Sequence, residues 1–319
     1  MNTASLSLPS VTVRPIAGPD ELGLFLGLSY ALDAELSADL EQGRRRPGWL
    51  WVAVQGDRLL ARLAWWSRPG AAEPLLLDIL DVDDTLPAED RLAVGEHLLR
   101  TAMSAVLRDG APIPEYTRFV PSDWRDRPEV RRAVEDRMAI AGRTGARLFV
   151  ERLRLNRSPG LPVPAPTGRL VFRTPRGEEE LTGLMARVLE GTLDAHSVHD
   201  LTTMTAQEAA AAQYADELAR YRSPRDWWRV ATLPDGDPVG FVVPAHNGYN
   251  PIIAYLAVLP EHRGRGYVDE ILAEGTRVLT AQDVPRIRAS TDLGNAPMAA
   301  AFARAGYVDF EREINMTWS

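Results

Sequence analysis

Pro251-Ile252-Ile253-Ala254-Tyr255-Leu256-Ala257-Val258-Leu259 runs into Pro260-Glu261-His262-Arg263-Gly264-Arg265-Gly266-Tyr267, and a helix-like stretch, Asp269 to Leu279, follows directly. A short apolar strand, a glycine turn and a helix in that order build a phosphate cradle. Gly264 and Gly266 let the turn approach an anion with no Cβ in the way. The N–H groups of the helix start point outward, and the helix dipole adds positive potential. Arg263 and Arg265 flank the glycines with full charges.

Beyond this helix the chain offers a second strand, Arg286 to Asp292, then Asn295-Ala296-Pro297-Met298, a small-residue helix, and Gly306-Tyr307. The order resembles the GCN5-related N-acetyltransferase (GNAT) superfamily, with its acetyl-CoA motif Val-x-Pro-x-x-Arg-Gly-x-Gly and its later Asn-x-x-Ala…Gly-Phe segment. Val258, Pro260, Arg263, Gly264 and Gly266 match the first motif, and Asn295, Gly306 and Tyr307 fit the second. The resemblance implies that acetyl-CoA, or another acyl-CoA, is the co-substrate. It also implies that backbone amides near Ala257 and Val258 grip the pantetheine, that Arg263 to Val268 hold the diphosphate, and that Asn295 binds the CoA arm. Asn also favours a helix N-cap, so Asn295 carries that reading beside the other. Two positions depart from the family. Val268 stands where Gly or Ala is usual and narrows the approach to the first helical turn. Phe302 stands where many members place the tyrosine that protonates the leaving thiolate, and a phenyl ring has no proton to give.

Composition narrows the classes. The 319 residues, 45% of them hydrophobic, suffice for two ordinary domains. No run approaches the roughly 18 to 20 apolar residues that span a bilayer, and Met1 to Ser10 lacks the basic start and apolar core of an export signal. With no cysteine there are no disulfides, thiolate metal sites or acyl-cysteine, which suits a reducing cytoplasm. All 36 basic residues are arginine, so no lysine serves as base or Schiff-base former. The net charge of −8 argues against nonspecific nucleic-acid binding and favours a cationic or neutral acceptor. Residues 1–160 carry 21 arginines against 23 acids, and residues 161–319 carry 15 against 21, so the cradle lies in the more acidic half.

Ser158 to Gly168 holds four prolines and reads as an extended spacer. Similar elements recur on either side. The first half offers strands at Val11 to Pro15, Trp49 to Val54, Leu59 to Trp66, Leu75 to Val82 and Ala146 to Leu155, with helices near Pro87 to Leu107 and Val130 to Ala141. The second offers Leu170 to Arg173, Trp228 to Thr232, Gly240 to Val243 and the motif region. It ends in a strand alternating Phe310, Ile314, Met316 and Trp318 against Asp309, Glu311, Glu313 and Asn315, the pattern of a half-buried strand. The expectation is a mixed α/β fold of two tandem GNAT-like domains, 1–160 degenerate and 161–319 binding acetyl-CoA. The first lacks the glycine turn and carries Asp81 to Asp90 in its place, which would repel a diphosphate. That segment has no calcium-loop spacing and reads as a solvated acidic helix start.

Acetyl transfer by direct attack needs a neutral amine near the thioester, an oxyanion partner and a route for protons. The strand before the motif offers only Tyr255 as a base. Asp194-Ala-His196-Ser-Val-His199-Asp200 adds two histidines that share one helical face, either able to accept a proton near neutral pH. A zinc pair lacks a third nitrogen or sulfur ligand nearby, so no metal is expected. Trp227 and Trp228 read as core or interdomain packing with an acceptor clamp as the alternative, and Met204 to Ala219 as an ordinary helix. The reading is an N-acetyltransferase for a small-molecule amine. Its alternatives are a non-catalytic CoA-binding or interaction module and a peptide or protein N-acetyltransferase.

Overall fold

The computed structural model describes residues 10–158 and 160–318. Pro159 of the spacer and all but the last residue of the N-terminal stretch read for an export signal lie outside the described residues. The chain divides into two compact units, Met1–Glu151 with Glu313–Ser319, and Arg152–Arg312. The division falls within a strand rather than at the proline-rich segment, which belongs to the second unit.

The first unit contains β1 (Thr12–Pro15), α1 (Leu22–Phe25), α2 (Leu36–Glu41), β2 (Leu50–Gln55), β3 (Arg58–Trp66), β4 (Leu76–Val82), α3 (Ala88–Val106), β5 (Glu115–Pro121), α4 (Pro128–Arg143) and the start of β6 (Arg147–Arg157). Strands β1 to β4 pair in succession, antiparallel, and β5 joins β4 in parallel. All are as the sequence suggests except β5, which it does not reveal. Its alternation is blurred because Thr117 and Arg118 are buried.

The acidic segment is only in part the solvated helix start expected: α3 opens there and Asp84 and Glu89 are exposed, but Asp81 and Asp90 are buried. β4 and β5 register only at Leu76↔Glu115 and Leu77↔Tyr116, and protein fills the gap beyond. Arg118 donates to Leu80 O at 3.1 Å and to Asp81 at 3.0 Å, with Tyr30 beneath its guanidinium. Arg137 donates to Val82 O at 2.9 Å and to Asp84 at 3.0 Å. Asp81, only 2% exposed, also takes a bond from Arg62 at 3.1 Å. Guanidinium groups thus cap β4 carbonyls that a parallel neighbour would otherwise engage, and a buried carboxylate neutralises them.

The second unit continues from β6 through β7 (Val171–Arg173), α5 (Glu178–Val188), α6 (Ala195–Asp200), α7 (Ala206–Asp216), β8 (Arg229–Thr232), β9 (Pro238–His246), β10 (Pro251–Val258), α8 (Tyr267–Thr280), β11 (Ile287–Asp292), α9 (Ala296–Arg304) and the start of β12 (Val308–Thr317). Its strand order is β6-β11-β10-β9-β8-β7. Only β10 and β11 are parallel among these neighbours, because α8 carries the chain back across the sheet. One face packs Ile253, Leu256, Ile271, Leu272 and Phe302 into a core, and the other packs Leu184, Met185, Trp228, Val230 and Phe241. Trp228 is therefore core, edge-on to Tyr214. The Met204 to Ala219 stretch becomes α7, opened by a Thr205–Glu208 capping box. The proline-rich segment is held down by Arg157, which donates to Ala305 O, Leu161 O and Pro162 O.

The end of β12 departs from half-burial. Asn315, placed by alternation on the open face, is 2% exposed and donates to Thr117 Oγ1 at 3.2 Å within the first unit.

Arg173 clamps β7 to α5 through Glu180 at 2.9 and 2.5 Å. That bond holds the Glu180 carboxyl below the usual carboxylate range, against the opposing effect of burial. The unfolded chain then binds the proton more readily, so this stabilisation is complete above the unfolded value, ~4.3, and is lost as pH falls through the folded one. Arg173→Gln is expected to flatten the acid limb of stability between about pH 4.5 and 3 in urea unfolding. An unchanged limb would remove the pair from the acid response.

Candidate active site

The site lies within the second unit and starts from an irregular strand. β10 pairs with β9 at Ile253↔Pro244 and then at Tyr255↔Val243, leaving Ala254 as a bulge. On its other side β10 meets β11 in register only at Ile252↔Arg288. From there the strands part, and the β11 side of Ala254 to Val258 borders a cavity of about 660 Å³. Gly240 keeps β10 in place from the β9 side, since a Cβ there would stand 2.3 Å from Ala257 O. Ser290, Thr291 and Phe302 line the cavity from β11 and α9.

At the wide end stands the glycine turn. Gly264 and Gly266 both have φ of 74°, and a Cβ at either would meet nothing within 4 Å, so the concavity is open. Gly266 caps α8 in the left-handed conformation with no side-chain cap bond, which leaves first-turn N–H groups for a ligand. Two acids in that turn would repel an anion, but both are neutralised. Asp269 pairs with Arg304 at 2.7 Å and Glu270 with Arg169 at 2.9 Å. Tyr267 and Val268 are half-buried cavity residues.

The two motif arginines part company. Arg263 lines the cavity, but its guanidinium is engaged by the protein itself. Its guanidinium donates to Val258 O at 3.1 Å, Glu190 O at 2.7 Å and Val188 O at 2.8 Å, tying the turn to the end of α5. Arg265 is exposed, and its side chain makes no hydrogen bond or ion pair among the described residues. Asn295 takes its N-cap reading. Its Oδ1 caps α9 by accepting from Met298 N at 3.3 Å, and the residue also lines the cavity.

Phe302 is 2% exposed and edge-on to Tyr307. The Tyr307 hydroxyl is bonded to Thr276 at 2.9 Å, and burial pushes it up to about 12. No phenol is therefore ready to donate from α9.

The opposite wall comes from α6 and α7. His196 lines the cavity, whereas His199, one turn on, is exposed and lies off it. Asp194 caps α6 by accepting from Ser197 N at 2.9 Å. Asp292 at the end of β11 accepts from Ala195 N at 2.7 Å, and Arg152 lies 3.1 Å from Asp292 and 3.8 Å from Asp194. These bonds fix the turn that carries His196. Burial pushes the Tyr255 phenol well up, and the nearby Asp194 and Glu217 carboxylates push the same way. A phenol so held stays neutral, which argues against Tyr255 as the base. Arg152, Asp292 and Glu217 were not singled out from sequence. Strand register and helix placement bring them here, and no local motif announces them. Among the described residues, no group of three or more His, Cys, Asp or Glu is placed to hold a metal, and no helix is long and apolar enough to cross a membrane.

A family model described as an acetyltransferase (GNAT) domain matches residues 169–308. That stretch is a GNAT acetyltransferase domain. Solved structures extend the likeness in fold over nearly the whole chain. A GCN5-related N-acetyltransferase from Sphaerobacter thermophilus is 15% identical with a TM-score of 0.59, covering 96% of this chain and 95% of its own. A tandem GNAT protein from the clavulanic acid biosynthesis pathway is 19% identical with a TM-score of 0.50, covering 96% and 98%. A GCN5-related N-acetyltransferase from Kribbella flavida is 13% identical with a TM-score of 0.52, covering 91% and 96%. The chain thus has the mixed α/β architecture of tandem GNAT proteins, and acyl-CoA is the co-substrate that the GNAT domain's family uses.

Proposed function

We propose that the GNAT domain transfers an acetyl group from acetyl-CoA to the primary amine of a small molecule by direct attack. The observation that carries this reading is the parting of β10 from β11, which opens one cavity from the glycine turn to the His196 wall. Acetyl-CoA supplies an activated acyl group as a thioester. The turn fits a diphosphate: open glycines, unbonded helix N–H groups, and Arg265 as the exposed cation. The free edge of β10 at Ala257 and Val258 offers backbone groups to the pantetheine amides and to the thioester carbonyl.

The ammonium first loses a proton to solvent; His196 then takes the second proton, released as the neutral amine nitrogen bonds to the carbonyl carbon and the C–S bond breaks. The thiolate leaves without a tyrosine donor and takes its proton from water. A cavity of about 660 Å³ is the size of a small-molecule pocket, and Asp194 and Glu217 in its wall favour a cationic acceptor. The cysteine-free composition suits the cytoplasm, the compartment we assign. The first unit, with its strand gap filled by ion pairs, serves as a degenerate structural partner.

Calorimetric titration is expected to give one CoA per chain, and an amine library is expected to release thiol. Phe302 favours a second reading, a CoA-binding module without chemistry. Tight CoA binding with no thiol release for any amine would establish that module instead. His196→Ala should flatten the rise in rate between about pH 6 and 8 and His199→Ala should not. A profile altered by neither would move the proton to water.

A further inference from the structure

On β11, Arg288, Ser290 and Asp292 alternate onto one face, opposite Asn156, Arg154 and Arg152 of β6. Ile287 and Ala289 turn the other way into the core. Arg288 sits at the register point where β10 and β11 still meet, the narrow end of the opening. Two residues on, about 7 Å along the strand, Ser290 lines the cavity. The Arg288 guanidinium lies 3.8 Å from the Phe310 ring and has no hydrogen bond or ion pair with any described residue. Its neighbours are cations. Arg154 faces the same ring at 5.5 Å and is paired with Glu311, and Arg286 spends only its Nε on Asn250 at 2.6 Å. Burial and the charges of Arg286 and Arg154 weaken the charged form of Arg288, and the Glu311 carboxylate only partly offsets them. Arg288, Arg286 and Arg154 thus lie together as three guanidinium groups, with the Glu311 carboxylate bonded to Arg154, and an added anion would relieve their repulsion.

We propose that Arg288, backed by Arg286, binds an anionic group carried by the acceptor itself, so that the substrate is a zwitterionic amine: an amino acid or a phosphorylated amine. Its ammonium end is drawn to the cavity wall of Asp194 and Glu217, and its carboxylate or phosphate to Arg288. The Phe310 ring holds the guanidinium plane in place for bidentate contact. This inference rests on the acyl-transfer reading.

The test uses the full chain loaded with acetyl-CoA and two matched sets of acceptors: α-amino acids against their carboxamides, and phosphoethanolamine against ethanolamine. The quantity read is the ratio of kcat/KM for the anionic over the neutral member of each pair. Wild type is expected to prefer the anionic member in at least one set, and Arg288→Gln is expected to lower that ratio about tenfold or more. Arg288→Lys should restore part of it. The set that responds identifies the anion as carboxylate or phosphate. Equal ratios in wild type and Arg288→Gln, with turnover intact, overturn the inference and leave the acyltransferase reading standing. If no amine releases thiol, that reading fails. Equilibrium binding of the same amines to the CoA-loaded protein then decides the inference, and a preference for anionic members that Arg288→Gln abolishes sustains it.

Discussion

Replacing Arg118 by methionine is expected to destabilise the first unit by about 3 kcal/mol. The substitution keeps much of the side-chain volume and removes the charge between Asp81 and the Leu80 carbonyl. Asp81 would then remain buried with Arg62 as its close partner, so the loss falls at the lower end for a broken buried pair. The unsatisfied Leu80 carbonyl adds to it. Urea unfolding reads the effect directly. A change under about 1 kcal/mol would mean that water, rather than protein, fills the gap between β4 and β5.

Arg263→Glu is expected to cost about 2 kcal/mol of stability in the second unit and to weaken CoA binding at least about tenfold. Both effects come from one cause. The guanidinium joins the carbonyls of Val188, Glu190 and Val258, and a carboxylate there would face those oxygens with no proton to share. Solvent screening at this exposed side chain holds the loss to that size. Arg265→Glu is the contrasting variant. Its side chain has no described partner, so CoA affinity should fall with stability nearly unchanged, and the salt dependence of CoA binding should shrink. If Arg263→Glu left stability intact and changed only the salt dependence, Arg263 would be the phosphate contact after all.

These two arginines show where reading the chain succeeds and where it stops. A glycine pair before a helix is legible because the requirement is local: φ of 74° at Gly264 and Gly266 excludes most side chains whatever the rest of the fold does. The direction of a guanidinium is not local. Arg263 turns to α5, some 75 residues earlier in the chain, and Arg265 does not. The same holds for His196 and His199. Their spacing puts them near one helical face, but the bond from Ala195 N to Asp292 sets which of them meets the cavity. β5 escaped notice because Thr117 and Arg118 point inward, and they do so because Asn315 and Asp81 wait there as partners.

By itself the sequence determined the strands with clear apolar alternation, the glycine turn and the absence of a hydroxyl at Phe302, since each depends on neighbouring residues alone. Only the tertiary structure decided that Asp81 is buried, that Arg157 folds the proline-rich segment down, that the units divide within β6, and that Arg288 forms no ion pair among the described residues. Those outcomes turn on long-range partners for charged and polar groups. A buried charge is tolerated only where a distant residue arrives to meet it, and the order of residues along a single chain does not say which one will.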